Sequence, residues 1–359
     1  MSVIGPQSIG QHYGPPDIFR PMNKVACFSV HDFERKNLTI FAQKYGLEIT
    51  LFEHRLDEIT AKLLNDTQAI ATFANDNLSD ITLRELKSRG VRMISLRSAG
   101  YSHLDLKSAK SLGLTIARVP SYSPEAIAEH ALALMLCLNR KLIQASRRVR
   151  ELNFKLDGLE GFTVAGKTIG VVGAGKIGLA FVRMMNGFGC RVLVHDPYVD
   201  KSQLTGIYQA ELVDMATLCR ESDVISLHCP LTEKTRYLID REQLHLMKPH
   251  VILVNTGRGG LIHTQELIQA IKDKRLGGVA LDVYEHEEGV FFHDFSAEGI
   301  DDDKLARLLT FPNVVVTSHQ AFFTHEALTN IAQTSLKNVA DYFAGGGAAI
   351  EEKNLLLKT

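Results

Sequence analysis

Three side chains suited to acid–base or anion-binding chemistry come soon after apolar, strand-like runs of the sequence. Arg258 follows VILVNTG, Glu287 follows GVALDVYEH, and His319 follows VVVTS. A guanidinium can bind a carboxylate through two hydrogen bonds, and an imidazole can donate a proton to a developing alkoxide. A glutamate beside that histidine would stabilise the charged ring and fix its orientation. Each residue alone is more simply explained as a solvent-exposed charge. Together, they indicate a site for acid–base chemistry on a carboxylic acid.

A glycine-rich hexapeptide, GAGKIG at residues 173–178, directly follows an apolar run and opens a helical pattern. In a dinucleotide-binding turn, the first glycine (Gly173) permits a tight turn and the second (Gly175) lets the backbone approach a pyrophosphate. The third (Gly178) lets the helix pack closely on the strand. The helix N-terminus then presents unpaired N–H groups to the phosphates. A strand-to-helix turn that binds nothing is the alternative, but the position between strand and helix favours a dinucleotide site.

Asp196 ends the next apolar run, RVLVHD, where an acidic side chain can accept hydrogen bonds from the adenosine ribose. A carboxylate there repels a 2′-phosphate, so the sequence predicts NAD rather than NADP. Asp196 could also simply begin the turn before Pro197, and the nearby Arg191, His195 and Lys201 leave room for NADP.

The chain alternates strand-like and helical patterns in two series, and its 359 residues are enough for two domains. The first series, residues 24–120, contains the runs VACFSV, AIATF and MISL, and the second begins at Lys167. Such alternation predicts parallel sheets covered on both faces. Between the series, Ser123 as N-cap and Pro124 as first helical residue predict one long helix to about Leu152. The sequence thus predicts an α/β fold with two Rossmann-like or flavodoxin-like parallel-sheet domains and an interdomain cleft, where ligands usually bind.

The composition argues against several classes of partner. A formal net charge of −1 gives no basis for binding nucleic acid or an acidic membrane surface. The five cysteines are scattered without a C-x-x-C pair, which indicates a reducing compartment and no structural zinc. The N-terminus lacks a signal-peptide pattern. The most apolar helical stretch, residues 126–138, is interrupted by Glu129 and His130 and is too short to span a bilayer. We therefore expect a cytoplasmic protein without a bound metal.

Four blocks of the sequence resemble the D-isomer-specific 2-hydroxyacid dehydrogenase family and occur in the family's order. They are GAGKIG, VNTGRGG, LDVYEHE and TSHQAFFT, and the resemblance extends over residues 24–342. It implies that Arg258, Glu287 and His319 are the catalytic residues of an NAD-dependent oxidoreductase. Glu285 is the competing glutamate. Glu287 is preferred because the family's catalytic residue comes five positions after an aspartate, here Asp282.

Within the family, the chain is most similar to bacterial members that interconvert pyruvate and D-lactate. The run at residues 97–106 resembles their substrate-carboxylate loop, and EGVFFHDF from Glu288 resembles their insertion after the catalytic glutamate. The resemblance implies substrate contacts from that loop and from two aromatic side chains, and cofactor contacts from several turns. The substrate-binding residues would be Ser98, Ala99, Gly100, Tyr122 and Phe322, and the cofactor-binding residues Gly173, Gly175, Lys176, Ile177, Gly178, Asp196, Cys229, Pro230, Thr256 and Asp282. From the residues alone, core packing explains the two aromatics equally well, and Asp282 could cap a strand end.

The resemblance also implies a discontinuous first domain. At residues 1–22 we expect a flexible Gly- and Pro-rich extension or an arm that docks on another surface. We also expect a substrate domain at residues 23–122 plus 323–359 and an NAD-binding domain at residues 123–322, through which the chain forms a homodimer or a higher homo-oligomer. The expected reaction is the reversible NADH-dependent reduction of pyruvate to D-lactate. The alternatives are glyoxylate, hydroxypyruvate or a branched 2-keto acid as substrate, or an NAD-sensing protein like the corepressors that resemble this family.

Overall fold

The structure is a computed structural model that describes residues 23–206 and 208–358, so the extension predicted at residues 1–22 lies outside the described residues. The chain divides into two compact units. Unit 1 contains residues up to Pro120 and from Ile331 onward, and unit 2 contains Ser121–Asn330. Each unit has its own largely parallel sheet, which confirms the predicted α/β class with two parallel-sheet domains. The predicted division after residues 122 and 322, and the role of each domain, remain predictions.

The strands and helices are numbered along the chain. The strands are β1 (Asn23–Cys27), β2 (Leu47–Leu51), β3 (Ala69–Thr72), β4 (Met93–Leu96), β5 (Thr115–Arg118), β6 (Thr168–Val172), β7 (Arg191–His195), β8 (Ala210–Leu212), β9 (Val224–Leu227), β10 (Ile252–Asn255), β11 (Gly278–Leu281), β12 (Val314–Val316) and β13 (Leu355–Leu357). The helices are α1 (Asp32–Lys44), α2 (Asp80–Ser88), α3 (Leu106–Ser111), α4 (Pro124–Asn139), α5 (Leu142–Arg150), α6 (Lys176–Gly187), α7 (Lys201–Thr205), α8 (Met215–Glu221), α9 (Arg241–Leu246), α10 (Thr264–Lys272), α11 (Asp303–Leu309) and α12 (His325–Gly345). Within the described parts of the chain, no helix is both long and apolar enough to cross a membrane.

The sheet of unit 1 has six strands in the order β13-β5-β4-β3-β1-β2. Strands β1 to β5 pair in parallel, whereas β13 pairs antiparallel with β5. Apolar side chains cover both faces: Leu38 of α1 and Leu336 of α12 lie in one core, and Leu83 of α2 and Ala109 of α3 lie in the other. The apolar runs of the sequence predicted β1, β3 and β4, whereas β2, β5 and β13 were not predicted.

The sheet of unit 2 has seven parallel strands in the order β12-β11-β10-β9-β6-β7-β8. Helices α4 and α6 pack on one face, and helices α8 to α11 pack on the other, so both faces are buried. The strand order reverses between β6 and β9, and in open α/β sheets ligands bind at the carboxyl ends of strands at such a point. The glycine hexapeptide begins at the carboxyl end of β6.

The single long helix predicted after Ser123 is wrong, because the structure has two helices there. The start is as predicted: the Ser123 side chain accepts a hydrogen bond from the N–H of Ala126, and Pro124 is in the first turn. The helix breaks at Lys141, whose backbone is left-handed with φ of 50°. Asn139 just before the break exchanges two hydrogen bonds with the backbone of Phe162. These long-range bonds fix the bend, and the apolar periodicity of the sequence does not report them.

Candidate active site

The glycine turn after β6 leaves room for a dinucleotide. Gly173 is left-handed with φ of 98°, and a Cβ there would overlap the backbone of Cys229 after β9. A Cβ at Gly178 would overlap the carbonyl oxygen of Gly173, so helix α6 can pack here only with a glycine. In contrast, a Cβ at Gly175, the N-cap of α6, would meet nothing within 4 Å. A pyrophosphate requires such open space beside the unpaired N–H groups at a helix N-terminus. Lys176 and Ile177 form the first turn of this helix. These residues fit NAD.

The carboxylate of Asp196 is held at the carboxyl end of β7. One oxygen accepts a hydrogen bond from the N–H of Ala174 (2.7 Å), and the other accepts one from the N–H of Tyr198 (2.8 Å). Asp196 therefore joins the glycine turn to the next strand. Each carboxylate oxygen can accept more than one hydrogen bond, so acceptor capacity for a ribose remains.

The predicted nicotinamide contacts Cys229, Pro230 and Thr256 follow β9 and β10. The hydroxyl of Thr256 is buried and has no hydrogen-bond partner within residues 23–206 and 208–358, so it can bond to a ligand. Burial raises the pKa of the Cys229 thiol to about 11, so this side chain is neutral. His228, which was not predicted from the sequence, lies before these residues, and its Nε2 contacts Ser226 Oγ at 2.9 Å. Burial lowers the pKa of His228 to about 3, which keeps an uncharged imidazole beside the glycine turn.

His319 and Glu287 form a close pair in unit 2. Nδ1 of His319 lies 2.7 Å from Oε1 of Glu287, and each side chain is about one-fifth exposed, at 20% and 19%. The other oxygen of Glu287 accepts a hydrogen bond from the N–H of Tyr284 at 3.0 Å, which fixes the carboxylate. His319 itself has a left-handed backbone with φ of 53°, a conformation that costs free energy outside glycine.

The competing glutamate, Glu285, has different partners. Its oxygens accept hydrogen bonds from the hydroxyl of Tyr237 (2.5 Å) and from the N–H of Thr264 (3.1 Å). Burial would raise the pKa of Glu285, but these hydrogen bonds outweigh burial and lower it. Of the two candidates, Glu287 is the one in hydrogen-bond contact with His319.

Asp282 supports the turn that carries His319. Its side chain is fully buried after β11 and accepts hydrogen bonds from the hydroxyl of Thr317 (2.6 Å) and the N–H groups of Gln320 and Ala321 (2.8 Å each). Nε2 of His130 on α4 lies 3.3 Å from the same carboxylate, a contact that the sequence pattern does not indicate. Burial would raise the pKa of Asp282, but hydrogen bonds from His130, Thr317 and the backbone hold it below its usual value. The predicted contact of Asp282 with the nicotinamide remains a prediction.

Arg258 follows β10 in a turn that Asn255 braces. The Asn255 side chain donates to the carbonyl of Arg258 (2.9 Å) and accepts from the N–H of Gly257 (3.0 Å). The guanidinium is half-buried and donates to the carbonyl of Gly257 at 2.7 Å, which leaves most of its N–H groups for a ligand. Burial raises the pKa of Tyr122, and the charge of Arg258 opposes this shift. The predicted contact of Tyr122 with the substrate remains a prediction.

The remaining predicted substrate residues lie in different places. The Phe322 ring meets the His319 ring edge-on at 6.4 Å between centroids. Ser98, Ala99 and Gly100 lie in unit 1, where the Ser98 hydroxyl donates to the carbonyl of Gly100 (2.7 Å) and Arg118 donates to that of Ala99 (2.9 Å). These contacts shape the loop, and its carboxylate-binding role remains a prediction. No group of three potential metal ligands occurs among the residues that the structure describes.

Comparison with known proteins identifies the family. The model described as "D-isomer specific 2-hydroxyacid dehydrogenase, NAD binding domain" matches residues 132–321. D-lactate dehydrogenase of Escherichia coli (strain K12) is 46% identical over 322 residues, which cover 90% of this chain and 97% of that protein. 2-hydroxyacid dehydrogenase A of Aspergillus oryzae is 48% identical over 322 residues, which cover 89% of this chain and 92% of that protein.

Among solved structures, D-lactate dehydrogenase from Aquifex aeolicus, complexed with NAD and lactic acid, is similar with a TM-score of 0.83. Its sequence is 30% identical, and the structural match covers 93% of this chain and 99% of the Aquifex chain. The glycine turn, the length of the match and the level of identity agree with one another. The chain therefore belongs to the D-isomer-specific 2-hydroxyacid dehydrogenase family, and it is an NAD-dependent oxidoreductase.

Proposed function

We propose that this protein catalyses the reversible NADH-dependent reduction of pyruvate to D-lactate. The observation that carries the proposal is the 2.7 Å contact between His319 Nδ1 and Glu287 Oε1, which leaves the other ring nitrogen free to face a substrate. The Escherichia coli relative and the Aquifex aeolicus structure, which holds lactic acid, are both named D-lactate dehydrogenase. The same contact and the same relatives argue against a corepressor-like binding protein.

In the proposed mechanism, three residues of unit 2 have separate roles. NADH, when bound, supplies the hydride. His319 holds the transferable proton on Nε2, because Nδ1 faces Glu287, and donates it to the substrate's carbonyl oxygen. Glu287 stabilises the protonated ring and sets its orientation. Arg258 binds the substrate carboxylate and polarises the carbonyl through its free N–H groups. In the reverse direction, neutral His319 accepts the proton from the hydroxyl of D-lactate.

A panel of 2-keto acids tests the substrate. We expect NADH oxidation with the highest kcat/KM for pyruvate, and reverse activity with D-lactate but not L-lactate. Because the Phe322 ring lies beside His319, Phe322→Ala should enlarge the substrate site and shift kcat/KM toward longer keto acids by about tenfold. If the native enzyme already uses 2-ketoisocaproate better than pyruvate, the D-lactate assignment is wrong and the family assignment stands.

Asp196 should make the enzyme prefer NADH to NADPH. Its carboxylate is fixed by Ala174 and Tyr198 and should accept ribose hydrogen bonds while repelling a 2′-phosphate. Asp196→Ala should lower kcat/KM for NADH about tenfold or more, the effect of removing a charged hydrogen-bond acceptor, with less effect on NADPH. The ratio of kcat/KM for the two cofactors measures the preference, and equal efficiencies in the native enzyme would contradict it.

We propose that unit 2 also forms a homodimer. An apolar surface, named here the apolar arm, extends from α5 through the following loop, and its members are Leu142, Ile143, Val149, Leu152, Phe154 and Leu156, which are 50–80% exposed. Lys141 and Arg148 donate hydrogen bonds to the carbonyls of Gly158 and Asp157, so the loop is held against α5 rather than hanging free. A fixed apolar surface of this kind is typical of a protein interface.

Sedimentation equilibrium tests the dimer. The native protein should sediment as a dimer, and Phe154→Asp with Leu156→Asp should give a monomer, because both changes place charge on the apolar arm. Tyr198→Asp is a matched control, since Tyr198 is 86% exposed and lies outside the arm. A native monomer, or a double variant that remains dimeric, would contradict the proposal.

We also propose a cytoplasmic location. All five cysteines are free thiols, and two of them, Cys27 and Cys219, are buried. Free, scattered cysteines are typical of a reducing compartment.

A further inference from the structure

Two residues of unit 2 with a strained backbone lie side by side, and one of them, His319, is the proposed proton donor. His319 has φ of 53° and Phe292 has φ of 68°, and both are left-handed without being glycine. Their rings lie 6.2 Å apart between centroids, with an interplanar angle of 35°. A bulky side chain with positive φ is a conformational outlier, and such strain tends to occur where function requires a particular geometry.

The segment that carries Phe292 starts at the proposed catalytic glutamate. The N–H groups of Val290 and Phe291 donate to the carbonyl of Glu287 at 3.1 and 3.0 Å, which forms a tight turn. Phe291 is only 6% exposed and anchors this turn in the apolar core of unit 2. The left-handed backbone at the next position then turns the half-buried Phe292 ring toward His319.

The imidazole of His319 is thus contacted from several directions. Glu287 binds Nδ1, Phe322 meets the ring edge-on at 6.4 Å, and Phe292 lies closer to parallel with it. Aromatic rings at these centroid distances interact favourably in defined geometries. A hydrogen bond at Nδ1 alone still allows the imidazole to rotate about that bond, and a neighbouring ring at this distance limits that motion.

We propose that Phe292 is a positioning residue for the reaction: its ring lies beside the His319 imidazole in a tilted arrangement, restricts the motion of the imidazole and limits water access to it. The proposal rests on the proposed role of His319 as proton donor. Phe292 does not itself exchange a proton or touch the cofactor in this mechanism. Through Phe292, the insertion after Glu287 contacts the catalytic site. The same imidazole is thus held by Glu287 at Nδ1 and by the Phe292 ring beside it.

Three substitutions separate the ring from the backbone strain. Phe292→Ala removes the ring and keeps a Cβ at positive φ. Phe292→Gly removes the ring and also removes the strain, because glycine adopts positive φ freely. Phe292→Tyr keeps the ring. Phe295→Ala is the matched control, since Phe295 lies in the same insertion and its ring contacts His293.

We expect Phe292→Ala and Phe292→Gly to lower kcat for pyruvate reduction to a similar extent, roughly tenfold, the size of effect that a modest misplacement of a catalytic group causes. The Kd for NADH, measured by fluorescence titration, should stay within about twofold of native. The solvent deuterium isotope effect on kcat should rise, because proton transfer becomes more rate-limiting. Phe292→Tyr should restore most of the lost kcat, and Phe295→Ala should show none of these changes.

Recovery of native kcat in Phe292→Gly but not in Phe292→Ala would overturn the proposal, because backbone strain alone would then explain the loss. Native kcat in all three variants, or a loss in Phe295→Ala as large as in Phe292→Ala, would also overturn it. His319→Ala, assayed in parallel, separates the two hypotheses. If that variant keeps native activity, the proposed function of His319 has failed, whatever the Phe292 variants show.

Discussion

His319→Ala should abolish pyruvate reduction and lactate oxidation, with kcat falling by about 10²- to 10⁴-fold, the usual contribution of a positioned acid–base group. Both directions depend on the same ring, since reduction needs it protonated and oxidation needs it neutral. The methyl group that replaces the imidazole should leave the glycine turn intact, because that turn is held by its own contacts with Asp196 and the loop after β9. The Kd for NADH should therefore stay close to native.

Glu287→Gln refines this expectation. The amide keeps the size of the side chain and most hydrogen bonding to His319 and Tyr284, but it removes the negative charge. The protonated ring then loses its counter-charge, so kcat for pyruvate reduction should fall by about tenfold or more, the effect of losing a charge-assisted hydrogen bond, while the Kd for NADH stays close to native.

Glu285→Gln is the control for this charge, because Glu285 contacts Tyr237 and Thr264 rather than His319. Its kcat for pyruvate reduction should match that of the native enzyme. A loss of kcat in Glu285→Gln beside native kcat in Glu287→Gln would show that the roles of the two glutamates are reversed.

Gly178→Ala should cost both stability and cofactor binding. The added Cβ would overlap the carbonyl oxygen of Gly173, and backbone cannot move aside as a flexible side chain can. Helix α6 must then shift away from β6, at a cost of about 1–3 kcal/mol or more, typical of overpacking a buried contact. A lower Tm and a much higher Kd for NADH should appear together. Native values for both would show that the helix can accommodate the methyl group.

Gly175→Ala provides the contrast. A Cβ at this position meets nothing within 4 Å in the protein itself, so the Tm should be close to native. The methyl group would occupy the space proposed for the pyrophosphate, and the Kd for NADH should still rise. A normal Kd in this variant would mean that the dinucleotide does not approach the backbone here.

The parts of the candidate site that lie in continuous runs of residues could be predicted from the sequence. The glycine turn and the strand-end positions of Arg258 and His319 could be predicted because each follows a recognisable apolar strand. Other features depend on partners far along the chain. His130 seemed only to interrupt an apolar helix, and its contact with Asp282 exists because α4 packs on the sheet of unit 2. The bend at Lys141 has the same kind of cause.

Strand β13 shows this limit most clearly. Its three leucines, in a charged tail, have no strand pattern of their own, and they become a strand by pairing with β5. The adjacent asparagines reinforce the pairing: Asn354 donates to Asn338 of α12, and Asn338 donates to the carbonyl of Arg118. Only the folded unit brings these groups together.

The order of the elements has a consequence for synthesis on the ribosome. The seven strands of unit 2 are consecutive in the chain, whereas unit 1 needs α12 and β13, which are translated after unit 2. At about 5–20 residues per second, the roughly 200 residues of unit 2 take about 10–40 s to emerge. Throughout that interval, the nascent first 120 residues lack the side chains of Leu336 and Val339 that complete one core and the strand that covers β5. The core that contains Leu336 and the sheet edge at β5 can therefore be completed only after all of unit 2 has been synthesised.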